Sequence, residues 1–206
     1  MTKKAKALIQ QKMSFIEVHR RKQIIDIAIE IIAKQGYQQT TLASVAKQAG
    51  FSKGVIFYYF KNKDELIDQI NLTLLDELKE YTRIRLKSHQ NEKDRLKAYV
   101  DVYLGFIKEN QGKFMILAEL GINFNLKSKD LIFNSTTYVE CRKSLGKIMD
   151  MTPKKETQRQ FKPDTYATVI QGMLDGVGIQ WVTDPDLIDL DECRELIIQM
   201  IDNYFS

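Results

Sequence analysis

The sequence predicts an all-α protein, and three observations carry that prediction. Apolar residues recur three and four positions apart along most of the chain. The β-branched residues follow that spacing and not the alternation of a strand. Only 3 prolines and 10 glycines interrupt 206 residues. With 44% hydrophobic and 28% charged residues, the chain has the balance of a globular protein that buries a core in one large or two small domains.

Nine helices follow from periodicity and end signals. The first spans about 17–35, with Ile24, Ile27, Ala28, Ile31 and Ile32 as its apolar stripe and Gly36 as its stop. The second spans about 42–49, with Thr41 as N-cap and Leu42, Val45, Ala46 and Ala49 on one face. Gly50 supplies a turn, and a third helix covers about 53–60 behind Ser52 as N-cap. Asn62 and Glu65 have capping-box spacing and open a fourth helix, drawn to about residue 86 and roughly 35 Å long. Further helices are predicted at about 93–110, 112–124, 128–149, 165–182 and 189–205. The lysine-rich stretch 152–163 is the best loop candidate, 183–186 is a tight connection, and Asp189 with Glu192 forms a second capping-box pattern.

Several function classes are disfavoured. No run approaches the roughly 20 apolar residues that span a bilayer, and the charged N-terminus lacks a signal peptide's apolar block, so a cytoplasmic protein without membrane contact is expected. Cys141 and Cys193 form no CxxC pair, which leaves no expectation of a zinc site. His19 and His89 lie far apart in basic contexts, and no glycine-rich phosphate loop appears. No catalytic residue, metal or cofactor is assigned, and the protein is expected not to be an enzyme.

The net charge of +4 conceals an asymmetry. Residues 1–63 hold 12 Lys and Arg against 3 Asp and Glu, whereas residues 64–206 hold 19 against 24. A basic head on an acidic body suits a polyanionic partner for the head alone.

The segment 36–63 reads as helix, tight turn and second short helix. On the 53–60 helix, Ile56 and Phe60 are i,i+4 neighbours that point inward, while Lys53, Gly54, Phe57 and Tyr58 face outward. Four successive aromatics, Phe57 to Phe60, span every side of a helix, so some must be exposed. Such a face suits the major groove, with a bare glycine allowing close approach and Phe57 placed to meet a thymine methyl group or a sugar. Lys63 adds a cation at the start of the fourth helix, whose N-terminal amides are natural phosphate donors.

These residues resemble the N-terminal domain of the TetR (tetracycline repressor) family. The resemblance covers residues 20–66: the Ile/Ala-rich first helix, Gly36 and Tyr37, Thr40 to Leu42, Val45 and Ala46, Ala49 to Gly54, and Tyr58 to Lys63 before Leu66. It implies residues 20–65 as a DNA-binding domain with its helix-turn-helix at about 41–60. It implies phosphate contacts from Thr41, Tyr58, Tyr59 and Lys63. Base or sugar contacts are implied for Lys53, Gly54 and Phe57, with Ser52 at the start of the reading element. The family usually carries Tyr where this chain has Phe57, so readout there should be apolar. Residues 1–19 form a basic extension (Lys3, Lys4, Lys6, Lys12, His19), read either as a DNA-tracking arm or as a tail or extra helical turn.

Residues 66–206 are expected to form an effector-binding and dimerisation domain. Gly172, Met173, Gly176, Val177 and Trp181, with Ile197, Met200, Ile201 and Tyr204, are the candidate dimer face; by resemblance the last two helices pair with their twins. Gly178 completes three glycines in seven residues, each costing a helix interior about 1 kcal/mol, which asks for a packing reason. The resemblance also implies an effector pocket among helices five to eight. Its candidate lining is Tyr103, Phe106, Phe114, Leu117, Glu119, Leu120, Phe124, Tyr138, Cys141 and Gln171. A neutral lipophilic effector is expected unless Glu119 or Glu140 faces inward unpaired, in which case a cationic ligand fits. The reading is a homodimeric repressor that binds a double-stranded operator and is released by a small molecule. The alternatives are an activator or constitutive DNA binder of the same fold, or a helical ligand-binding protein that has lost DNA binding.

Overall fold

The computed structural model describes residues 15–87, 91–122, 141–148 and 162–205, and these form nine helical segments. In chain order they are α1 (Phe15–Gln39), α2 (Leu42–Ala49), α3 (Lys53–Tyr59), α4 (Lys63–Arg85), α5 (Glu92–Glu109), α6 (Gln111–Ile122), α7 (141–148), α8 (Pro163–Thr183) and α9 (Leu190–Phe205). The all-α expectation holds. The part of the seventh helix predicted over 128–140, and most of the loop predicted over 152–163, lie outside the described residues. Pro163 belongs to α8 and not to a loop, because a proline at the first helical position gives up an amide that would lack a partner anyway.

Two compact units divide inside α4, after Ile70. The boundary expected between residues 65 and 66 lies a little earlier in the same helix, whose first turns belong to the first unit. There the Arg21 guanidinium donates to the Tyr59 carbonyl at 2.6 Å, lies 4.4 Å from the Phe60 ring centroid and pairs with Glu65 at 3.8 Å. Ile24, Ala28, Val45, Ile56, Phe60, Leu66 and Ile70 make the core of this unit.

The ends of α1 to α4 follow from local chemistry. Gly36, at φ 80° and ψ 160°, breaks α1 where its stop was expected, and one further turn runs on to Gln39. Thr41 and Ser44 cap α2 reciprocally: Ser44 N donates to Thr41 Oγ1 at 3.1 Å, and Thr41 N donates to Ser44 Oγ at 3.0 Å. Gly50 is left-handed at φ 68° and sends its amide to the Lys47 carbonyl, while Phe51 N reaches back to Ala46 O at 3.0 Å. Ser52 Oγ accepts from Val55 N at 3.3 Å and starts α3. Asn62 Oδ1 caps α4 through Glu65 N, and the Glu65 carboxylate accepts from Lys61 N, one residue before the cap.

In the second unit α5 is central, with α6, α8 and α9 packed on it. Val100, Leu104, Ile107, Ile116, Leu145 and Leu174 are buried there. Salt bridges Arg194–Asp101 (2.6 Å) and Lys108–Asp191 (2.8 Å) run along the outside of the α5–α9 contact. Asn91 caps α5, and Asp189 caps α9 by accepting from Asp191 N and Glu192 N. No described helix is long and apolar enough to cross a membrane.

Candidate nucleic-acid interface and cavity

The α3 helix sorts its side chains as the wheel expected. Ile56 and Phe60 are fully buried, whereas Ser52, Lys53 and Gly54 are exposed, Phe57 is 54% exposed and Tyr58 is 71% exposed. An added Cβ on Gly54 would meet only the Ser52 hydroxyl, at 3.8 Å, so the backbone at that corner is open to a close partner. Tyr59 differs from its neighbours. It is buried at 7% exposure and packs edge-on against the Tyr58 ring at 5.0 Å, so its implied phosphate contact falls on a ring used mainly for packing.

Three further assigned residues are already engaged within the unit. Thr41 is exposed, but its hydroxyl is occupied as the α2 cap. Lys63 Nζ donates to the carbonyls of Tyr37 (2.6 Å) and Gln38 (3.4 Å) and sits 4.0 Å from the Tyr37 ring centroid, closing the turn after Gly36. Tyr58 Oη donates to Glu17 Oε1 at 2.6 Å, and this bond is the main reason its hydroxyl titrates above the usual phenol range. Residues 15–19 of the basic extension are one more turn of α1, and they bring Glu17 and Arg20 beside α3 around a shallow hollow that includes Ser52, Gly54 and Tyr58. The remaining extension lies outside the described residues.

The second unit contains a cavity of about 320 Å³. Leu75, Leu78, Leu86 and Ile148 give it aliphatic walls, with Tyr99, Thr82, Cys141 and Ser144 between them and Lys79, Arg83, Lys87, Arg95 and Lys147 also in its lining. A smaller space of about 20 Å³ shares Leu78 and Cys141 and adds Tyr103, Phe114, Leu117, Gln171 and Asp175. Here Tyr103 Oη donates to Asp175 Oδ1 at 2.6 Å and Gln171 Nε2 donates to the same oxygen at 2.8 Å. Tyr99 Oη donates to Gln171 Oε1 at 3.0 Å. Burial pushes the Asp175 carboxyl above the usual range, against the opposing pull of those two donors.

The profile of "Bacterial regulatory proteins, tetR family" matches residues 24–70. The "Fatty acid metabolism regulator protein" of Bacillus subtilis is 32% identical to this chain over 183 residues, covering 87% of this chain and 92% of that protein. This chain belongs to the TetR family. It is a DNA-binding transcriptional regulator. Solved TetR-like structures share the fold across both units: a regulator of Bacillus subtilis in complex with stearoyl-CoA (TM-score 0.70, 20% identity, 89% of this chain and 98% of that one) and one from Saccharomonospora viridis in complex with choline (TM-score 0.72, 19% identity, 90% and 96%).

Within the TetR-family frame, the expected pocket lining is only partly brought together. Tyr103, Phe114, Leu117 and Gln171 surround the small space, and Cys141 joins it to the larger one. Phe106 and Leu120 are instead buried core, Phe106 against Tyr81 at 5.3 Å, and Glu119 is half-buried and lines neither space. Phe124, Tyr138 and Glu140 lie outside the described residues. Among the described residues the carboxylate beside the small space is Asp175 and not Glu119. The larger wall comes from the C-terminal half of α4; its signal was the interleaving of Leu75, Leu78, Thr82 and Leu86 with Lys79, Arg83 and Lys87 at one-turn spacing.

The expected dimer face also divides. Gly172 and Gly176 have no described residue within 4 Å of an added Cβ, Met200 is 48% exposed, and Met173, Val177 and Trp181 are half-exposed. Ile197 and Ile201 are corrected to intrachain core: both are buried in the single chain, on the side of α9 that packs against α5 and α8. Gly178 is likewise intrachain, because a Cβ there would stand 2.5 Å from Ile107 Cδ1 and 2.8 Å from Phe114 Cζ. The Tyr204 side chain lies outside what the structure describes.

Proposed function

We propose that this regulator is a homodimeric repressor that docks one α3 per protomer into successive major grooves and leaves its operator when an apolar small molecule enters the second unit. The observation that carries the reading is the outward set Lys53, Gly54, Phe57 and Tyr58, held on a rigid, fully buried base of Ile56 and Phe60. Phosphate contacts are assigned to Thr41, Tyr58, Tyr59 and Lys63, and base or sugar contacts to Lys53, Gly54 and Phe57 beside Ser52. Tyr58 has one hydroxyl proton, now given to Glu17, so it must leave Glu17 to donate to a phosphate.

Self-association is supported by the open Gly172 and Gly176 and by the exposed Val169, Leu196 and Met200 on α8 and α9. A lipophilic effector is supported by the aliphatic cavity walls and by the likeness to the fatty acid metabolism regulator of Bacillus subtilis. Helix α4 supplies Lys63 to the first unit and Leu75 and Leu78 to the cavity, so a ligand that displaces its later turns acts on an element both units use. Effector and operator then oppose each other through one coupling energy.

Selection from a random duplex pool tests this. The recovered site should be an inverted repeat with half-sites about one turn apart, roughly 34–36 Å, and binding should fall steeply with salt. Phe57→Ala should change the base preference at one position of each half-site, while Lys53→Gln should weaken binding. A site without two-fold symmetry, or no duplex binding at low ionic strength, refutes the proposal.

A further inference from the structure

Three acidic residues stand among the first 63, and two of them, Asp26 and Glu30, lie well along α1, where Asp26 pairs with Lys22 at 2.8 Å. The third, Glu17, stands beside the reading helix. It lines the hollow that also includes Arg20, Ser52, Gly54, Val55 and Tyr58, and it accepts from the Tyr58 hydroxyl at 2.6 Å. A carboxylate on a face that must approach a polyanion works against binding, because it repels phosphate at close range. Its place there asks for a reason.

The sign of its effect follows from two features of Tyr58. The hydroxyl has one proton, and a carboxylate oxygen and a phosphate oxygen are both strong anionic acceptors, so the proton goes to one or the other. The ring does not depend on Glu17 for its position. It packs edge-on against Tyr59 at 5.0 Å, and Tyr59 is itself buried in the first unit. Removing the carboxylate therefore frees the donor and leaves the ring where it is.

We infer that Glu17 is an internal competitor of the operator phosphate: it holds the Tyr58 hydroxyl in the free protein and sets operator affinity below what the α3 face reaches without it. Each protomer of the proposed dimer makes the exchange once. A penalty of about threefold per head, ordinary for an exposed charged pair, becomes about tenfold per dimer. A moderated grip also keeps release within reach of a single coupling energy between effector and operator. The inference rests on the phosphate contact proposed above for Tyr58 and adds the group that opposes it.

Fluorescence anisotropy of the full chain, on the tightest duplex recovered by the selection above, tests this at physiological salt, where repulsion between distant exposed charges is largely screened. Glu17→Ala should tighten binding about tenfold, and in a Tyr58→Phe background the same change should alter it by less than about twofold, since the hydroxyl it releases is gone. Glu17→Gln, which keeps the length of the side chain and removes its charge, should tighten binding in the same direction. Urea unfolding of each variant separates competition from a part in holding α1 together. A purely structural Glu17 lowers the unfolding midpoint and the operator affinity together, whereas a competitor tightens binding with the midpoint unchanged or lowered. Unchanged or weaker binding by Glu17→Ala, or a tenfold gain that persists in the Tyr58→Phe background, overturns the inference and leaves the repressor reading intact. Absence of duplex binding by the unaltered chain overturns both.

Discussion

Asp68 illustrates how a single ionisable group can work against its own fold. Partial burial raises its carboxyl from 3.8 to about 6, and the neighbouring Asp64 and Glu65 on the same helix add to the effect. The folded chain therefore holds an extra proton between about pH 4 and 6, and stability falls as pH rises through that window. Asp68→Asn should raise stability at pH 7 by about 1 kcal/mol, after discounting for solvent screening, and leave it unchanged below pH 4. Urea melts at pH 4 and 7 check this; equal gains at both would exclude the titration as the cause. The side-chain orientation on α3 was legible beforehand because a short helix has one geometry, so Ile56, with Phe60 just past the helix end, had to go in and Phe57 out. The engagement of Tyr58 by Glu17 was not legible. It joins residues 41 positions apart.

At the level of elements, α8 packs its glycines to two different ends. Gly172 and Gly176 lie one turn apart on an open face, while Gly178 lets Ile107 and Phe114 press against the helix backbone. Gly178→Ala should destabilise the chain by about 1–3 kcal/mol, because the added methyl overpacks a core whose neighbours must move. Thermal or urea unfolding reads this directly, and a neutral or stabilising outcome would mean that Ile107 and Phe114 relax freely. Caps were legible at this scale because they are local. Thr41, Ser52, Asn62 and Asp189 all cap where their spacing to the next helix placed them. The cavity was not: sequence reasoning looked for rings on α5 and α6, and the walls came largely from aliphatic and basic side chains on α4.

For the molecule as a whole, the proposed two-fold pairing puts the open glycine face at the contact between protomers. Gly176→Leu should leave the protomer folded, since no described residue stands within 4 Å of an added Cβ, and should weaken self-association at least tenfold, with a matching loss of operator affinity. Sedimentation equilibrium checks it; unchanged association would move the dimer contact elsewhere. The sequence by itself determined the helical class, the α1–α4 head and its outward α3 face, because helix periodicity, caps and glycine turns act within a few residues. Only the tertiary structure decided that Ile197, Ile201 and Gly178 serve the chain's own core, that Asp175 accepts from Tyr103 and Gln171 beside the small space, and that five cations border one apolar cavity. Those outcomes depend on which faces of distant helices meet, and no spacing along the chain encodes that directly.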